Sequence, residues 1–317
     1  MTTTIDRRDH QMFPIFSPAE IASAARFASG PETRFEPGES VYDIGAQGAP
    51  AWLVLAGTIE VVRRDGLSRE AAVTTHGVGQ FTGEVNQLAG RASIAAGRAG
   101  PEGCTALPFD PAHLRALMVG SADVGEVVMR ALILRRVSLI EQGGAGTILI
   151  GVPGSPDIMR LQNFLTRGGL PHLVLDVGVD EEGRALVERT GVRADELPLV
   201  VCPTGQILRR PSDASLAACL GILAPIDPDH MYDVAVVGAG PAGLATAVYA
   251  ASEGLSVIVL DAATMGGPAG ASSRIENYLG FPTGISGQAL AGRAFNQALK
   301  FGAEIAIPVA VERLACD

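Results

Sequence analysis

The chain has 317 residues, 47% hydrophobic and 18% charged, with a formal net charge of −10. That length accommodates two or three domains, each able to bury its own core. The acidic balance opposes nonspecific attraction to nucleic acid or anionic membranes, so neither is expected as a partner.

The opening MTTTIDRRDH holds no apolar signal-peptide core, and the longer nonpolar stretches are broken by Gly, Pro or charge before they reach spanning length. The cytoplasm is therefore the expected location. Cys104, Cys202, Cys219 and Cys316 form no Cys-x-x-Cys pair, and the five histidines are scattered singly. Neither a zinc site nor a local redox dithiol is expected, and the cysteines read as isolated core or surface thiols.

From Phe35 to about Ile140, short strands alternate with turns. Pro37-Gly38 and the stretch from Gly45 to Pro50 mark turns, while Ala51–Leu55 and Thr58–Arg63 are apolar or β-branched runs separated by Ala56-Gly57. This predicts a β-roll or barrel. A long helix follows in DVGEVVMRALILRRVSLIEQGG, where Val127, Ala131 and Leu134, with Val128 and Leu132, recur at helical spacing before Gly143-Gly144. Apolar nearly all round, the helix around Leu132 needs burial on more than one side, within the chain or in a homodimer.

The next segment, from Gly146 to about Leu223, reads TILIGV as a strand, SPDIMRLQNFLTRGG as a helix, HLVLDV as a strand and EEGRALVERTG as a helix. LPLVVCPTGQILRRPS then looks like a hairpin before a last helix. That order predicts a small α/β sandwich. ILAPIDPDH, with two prolines, reads as a linker. The expected division is 1–142, 146–223, a linker at 224–230, and 231–317.

In the last segment the buried-strand run YDVAVV leads into Gly238-Ala239-Gly240-Pro241-Ala242-Gly243 and a helix that ends at Gly254. A second strand, LSVIVL, finishes on Asp261, 21 residues past Gly240. The first glycine permits a tight turn, the second lets a pyrophosphate approach the backbone, and the third allows close helix-to-strand packing. Free N–H groups at the helix start then face the phosphates, and Asp261 is placed to accept from a ribose. These features alone do not separate FAD from NAD.

The residues that follow do. GGPAGASSRIENYLGFPTGISGQALAGRAFNQALKFGAEI resembles the FAD domain of the low-molecular-weight thioredoxin reductases, a likeness spanning Tyr232 to Asp317. The resemblance implies FAD, with Gly266-Gly267 and Ser273 to Phe281 along the flavin and Asn277 at its isoalloxazine or ribityl portion. Pro268 stands where the family usually has glutamine, and proline has no N–H to donate. That family also inserts an NADPH domain carrying a Cys-x-x-Cys pair, and neither is present in the sequence. NADPH is thus expected only for a full-length relative, and the chain is expected to be a truncated product or a natural remnant without turnover.

The two preceding segments then acquire likenesses of their own. The Pro37-Gly38 turn, LVLAGTIEVV and GQFTGEVNQLAGRAS, followed by the long helix, resemble a cyclic nucleotide-binding domain. The resemblance implies a cassette at Gly83-Glu84, with Glu84 accepting from a ribose 2′-hydroxyl and Arg91 neutralising a cyclic phosphate, Arg98 being a second candidate. Arg91 follows Glu84 by seven residues, a shorter interval than the usual cassette. Both a working site and a vestigial roll, with Glu84 capping a helix and Arg91 on the surface, stay open.

TILIGVPGSPDIMRLQNFL and ELPLVV resemble a thioredoxin-like or glutaredoxin-like domain, with Leu197-Pro198 as the expected cis bond. Where such a domain carries its redox cysteines, this chain reads Gly154-Ser155-Pro156-Asp157, so no thiolate is available there. Cys202 and Cys219 read as buried thiols.

The expected fold class is multidomain: a β-roll with helices, a small α/β thioredoxin-like sandwich and an incomplete α/β Rossmann-type FAD domain. The combination resembles bacterial thioredoxin reductase-like flavoproteins. The first reading is the N-terminal portion of an FAD-dependent, NADPH-linked disulfide oxidoreductase, with no catalytic residue assigned within the chain. A non-enzymatic cyclic nucleotide-responsive regulator and an NAD-binding module are the alternatives.

Overall fold

A computed structural model describes residues 9–64, 70–83, 87–88, 90, 92–93, 95–141, 147–168, 170, 172–203, 205–223 and 226–315. The chain forms two compact units, Met1–Pro153 with Pro171–Arg210, and Gly154–Leu170 with Pro211–Asp317. Residues of the 146–223 segment contribute to both units.

The first unit opens with α1 (Asp9–Met12) and α2 (Pro18–Ala25). Ser17 and Glu20 form a capping box at the start of α2, which satisfies free N–H groups of its first turn. Strands β1 (Thr33–Phe35), β2 (Ser40–Tyr42), β3 (Ala51–Arg64), β4 (Glu70–His76) and β5 (Ala96–Phe109) build an antiparallel sheet. Its order is β1-β5-β3-β4, with β2 also on β5. Here one expectation is corrected: Ala51–Leu55 and Thr58–Arg63 are not two strands across a turn but parts of continuous β3. The register against β5 shifts at Val54/Ala56 and Gly57/Ile59, so Ala56-Gly57 is a bulge. Gly57 is required there, since its φ is +69° and a Cβ would lie 2.1 Å from the Gly103 carbonyl oxygen.

Inside the roll Phe35, Tyr42, Trp52, Val54, Ile59 and Ala106 form one apolar cluster. Helices α3 (Pro111–Gly120) and α4 (Ala122–Glu141) follow. α4 buries Val124, Val128, Ala131 and Leu132, Leu132 being only 1% exposed. The intramolecular alternative therefore holds for that side, with Val127, Met129, Ile133 and Leu134 half-buried among the described apolar residues of α4.

The same unit carries β6 (Thr147–Gly151), β7 (His172–Asp176), α6 (Glu181–Thr190), β8 (Leu199–Val201) and β9 (Ile207–Arg209). Their sheet runs β7-β6-β8-β9, with β6 parallel to β7 and antiparallel to β8, and β8–β9 the predicted hairpin. Ile148, Ile150, Leu175, Leu186, Leu199 and Val201 make its core. The Leu197–Pro198 bond is cis.

The second unit contains α5 (Pro156–Arg167), α7 (Asp213–Cys219), β10 (Val234–Val237), α8 (Pro241–Ser252), β11 (Val257–Leu260), α9 (Gly287–Lys300) and β12 (Glu304–Ala306). Gly154 has φ +80° and Ser155 is the N-cap of α5, so Gly154-Ser155-Pro156-Asp157 is a helix entry without a thiol. On α5, Arg160 pairs with Asp213 and donates to the Pro211 carbonyl at 2.7 Å, fastening α7. VAVV and VIVL are near-continuous apolar runs, but only β11 is buried, over Val257–Val259. In β10 Val236 is buried while Ala235 and Val237 are exposed, which corrects the expected buried strand there. β10, β11 and β12 are parallel, in that order, and α8 and α9 contribute buried Leu244, Ala247, Leu290, Phe295 and Leu299.

Cys104 is a free, buried thiol, whereas Cys202 and Cys219 are each disulfide-bonded. This corrects the reading of isolated thiols for those two, because spacing along a chain does not show which sulfurs the fold brings within bonding reach. Cys316 lies outside the described residues. Among the described residues, no helix is long and apolar enough to cross a membrane and no cluster of three or more metal-ligating side chains occurs.

Candidate functional site

The glycine turn after β10 is built as its sequence requires. Gly238 has φ +102° and donates its N–H to the Leu260 carbonyl at 2.7 Å, tying the turn to the end of β11. A Cβ on Gly243 would lie 1.9 Å from the Gly238 carbonyl oxygen, so the third glycine is there for contact between helix and turn. Gly240 differs. It is the N-cap of α8 with no side-chain cap, its φ and ψ of −74° and −179° suit any residue, and a Cβ there would meet nothing within 4 Å. The protein itself does not need glycine at 240. The open space lies at a helix start whose N–H groups have no internal acceptor, where an anionic group is favoured by both hydrogen bonding and the helix dipole. Pro241 suits the first helical position and Ala242 is exposed beside it.

Asp261 does more than wait for a ribose. Its Oδ2 accepts from the Ala239 N–H and its Oδ1 from the Ala263 N–H, both at 2.8 Å, so the carboxylate clamps the turn to the loop after β11. Each oxygen keeps acceptor capacity for a further donor. Asp261→Ala removes two charge-assisted bonds, and is expected to cost the flavin-free protein about 2 kcal/mol in denaturant unfolding followed by circular dichroism.

Gly266 and Gly267 join this turn. The Gly266 N–H donates to the Ala239 carbonyl at 2.7 Å, and a Cβ on Gly267 would lie 3.4 Å from the Gly240 Cα. Both have positive φ, +92° and +53°. A 3₁₀ turn, Gly267–Ala271, follows with Pro268 at its second position, where the missing N–H leaves no intrahelical bond unmade. Its far end docks on α9, whose Gly287 donates to the Ser272 carbonyl at 2.8 Å.

Asn277 lies in the loop closed by the reciprocal backbone pair Ile275 and Ile285. Its side chain is exposed and makes no hydrogen bond to a described residue. Arg274 braces the loop by donating to the Thr283 carbonyl at 3.0 Å, and Arg293 of α9 stacks over Phe281 at 5.6 Å. The glycines and Asp261 are thus gathered at one turn, with Asn277 on a braced loop of the same unit.

In the roll, Glu84 and Arg91 lie outside the described residues. Gly83 is half-buried with φ +100°, and its carbonyl accepts from Arg135 Nη1 at 3.0 Å. Sequence reasoning missed Arg135. The signal was available, since Val124, Val128, Ala131 and Arg135 succeed one another at helical spacing, which puts a cation on the buried stripe of α4.

Comparison with known proteins gives two kinds of likeness. The family described as FAD dependent oxidoreductase matches residues 233–306. A thioredoxin reductase of Aquifex aeolicus is 46% identical over 77 residues, which is 24% of this chain and 24% of the relative. The crystal structure of thioredoxin reductase from Streptococcus pyogenes is 39% identical over 24% of each chain, with a TM-score of 0.23. The C-terminal segment is homologous to the FAD domain of thioredoxin reductases. The chain spans about a quarter of the length of the curated relatives it matches. The catabolite activator protein of Thermus thermophilus is 17% identical, covering 67% of this chain and 99% of that one, with a TM-score of 0.35.

Proposed function

We propose that residues 231–317 form the flavin-holding part of an NADPH-linked, thioredoxin reductase-like disulfide oxidoreductase acting in the cytoplasm. In the same reading, the roll is a cyclic nucleotide-binding-like regulatory module, and 146–223 is a thioredoxin-like scaffold without the usual redox pair. The observation that carries the flavin assignment is the open cradle at Gly240, unneeded by the fold and set at a helix start.

FAD, when bound, supplies two-electron redox chemistry that no side chain offers. The chain's own residues hold it. Amides at the start of α8 beside Gly240 receive the diphosphate, Asp261 accepts from the ribose, the Gly266-Gly267 turn walls the site, and Asn277 faces the ring or ribityl portion. No turnover is expected of the 317 residues alone, which contain no Cys-x-x-Cys and no second glycine fingerprint.

The test is a visible spectrum of the purified chain and identification of the nucleotide released on denaturation. FAD near one per chain is expected. A colourless protein that cannot be loaded with FAD, yet binds a cyclic nucleotide tightly, would move the assignment to a non-enzymatic cyclic nucleotide-responsive regulator.

A further inference from the structure

Arg135 is 7% exposed, on the inner face of α4. Its Nε donates to the Met12 carbonyl at 2.8 Å and its Nη1 to the Gly83 carbonyl at 3.0 Å, while its plane lies over the Phe13 ring at 5.2 Å. Nη2 has no partner. Burial pushes the guanidinium down to about 10, which leaves it charged at neutral pH.

A buried cation is ordinarily balanced by a carboxylate, because neutral carbonyls do not repay its desolvation. The titratable groups that act on Arg135 among the described residues are Tyr42 and His76, and neither is an anion at neutral pH. Tyr42 has its phenol pushed above the usual range by burial, and its hydroxyl bonds to Thr82. His76 is held neutral, pushed down to about 3 by burial and then by Arg135 itself. Two further buried donors or acceptors of this roll, Trp52 Nε1 and His76 Nδ1, also lack hydrogen-bond partners among the described residues. Among the described residues, the interior therefore holds one positive charge with an unused donor and no counterion, beside the half-buried Gly83.

We propose that Arg135 Nη2, beside the Gly83 turn, binds the phosphate group of a small ligand. Phosphate suits the site because Nε and Nη1 are already committed to carbonyls, leaving Nη2 for a charge-assisted bond to an anionic oxygen. The anion can come from a free phosphate or from a phosphodiester nucleotide. The inference deepens the reading of the roll as a nucleotide-responsive module by assigning the charge to α4, but it does not depend on the flavin reading.

Trp52, the chain's only tryptophan, reports on the site. Its backbone N–H donates to Thr82 Oγ1 at 2.9 Å, and Thr82 is the residue before Gly83. The experiment titrates the full chain with inorganic phosphate, cAMP and cGMP separately, against chloride at matched ionic strength, and follows Trp52 emission and thermal unfolding. A saturable Trp52 response to phosphate or to a nucleotide is expected in the parent. It should weaken at least tenfold in Arg135→Lys, which keeps the charge but loses the fork, and vanish in Arg135→Met.

Inorganic phosphate alone producing the response identifies a free-anion site, and a nucleotide alone producing it identifies a phosphodiester site; both support the proposal. Nucleotide binding of equal strength in the parent and in Arg135→Lys overturns it while leaving the regulatory reading intact. No saturable response to any of the three in the parent overturns it as well. Should Arg135→Met fail to fold, the parent and Arg135→Lys titrations decide.

Discussion

Replacing Gly240 with valine is expected to strip FAD from the protein while leaving the flavin-free fold nearly as stable as before. The added side chain meets nothing within 4 Å, and the backbone there is extended, so the only structural cost is that of a poor N-cap. That cost is about 1 kcal/mol. The same side chain fills the space where a diphosphate must touch the backbone, so affinity should fall at least about 100-fold, or roughly 2.7 kcal/mol. Gly243→Ala should behave in the opposite way. Its Cβ would sit 1.9 Å from the Gly238 carbonyl oxygen, so helix and turn must separate. Forced overpacking of this kind costs roughly 1–3 kcal/mol before any flavin is added. Flavin absorbance per chain and denaturant unfolding of the flavin-free proteins measure the two effects separately. If Gly240→Val retains one FAD per chain, the glycine turn is not the flavin site.

That contrast also marks what could be read from the sequence. The strand, glycines, helix, strand and acid announce a dinucleotide turn because each answers a local backbone demand, and local demands are written in consecutive residues. Gly238 and Gly243 answer the demands of the fold, whereas Gly240 leaves room that the fold does not use, a distinction that needs coordinates. Asp261 was legible as an acid at the end of a strand. Its grip on the Ala239 N–H was not, since that depends on how the turn folds back over β11. The single strand β3 escaped notice for a related reason: Ala-Gly reads as a turn, yet a bulge uses the same glycine geometry without reversing the chain. The disulfide state of Cys202 and Cys219 is a matter of tertiary proximity and leaves no local mark.

Histidine 76 supplies the second large effect, on stability against pH. His76 is 2% exposed, its ring lies 5.9 Å from that of Phe13, and burial with the Arg135 charge pushes its folded-state value down to about 3. In the unfolded chain a histidine takes up its proton near pH 6.5. Between those two values the unfolded state binds one more proton than the folded state, so stability rises with pH and is lost as pH falls through the window. The slope from one such proton is about 1.4 kcal/mol per pH unit. His76→Phe keeps an aromatic ring against Phe13 and removes the titration. Its stability relative to the parent should therefore improve by roughly 2.5 kcal/mol on going from pH 6 to pH 4, whatever its offset at neutral pH. Trp52 lies in the same roll as His76, so its emission during denaturant unfolding follows the relevant unit. Parallel pH profiles for the two proteins would mean that His76 titrates normally and is not held neutral beside a buried cation, which would also remove a support from the phosphate site at Arg135.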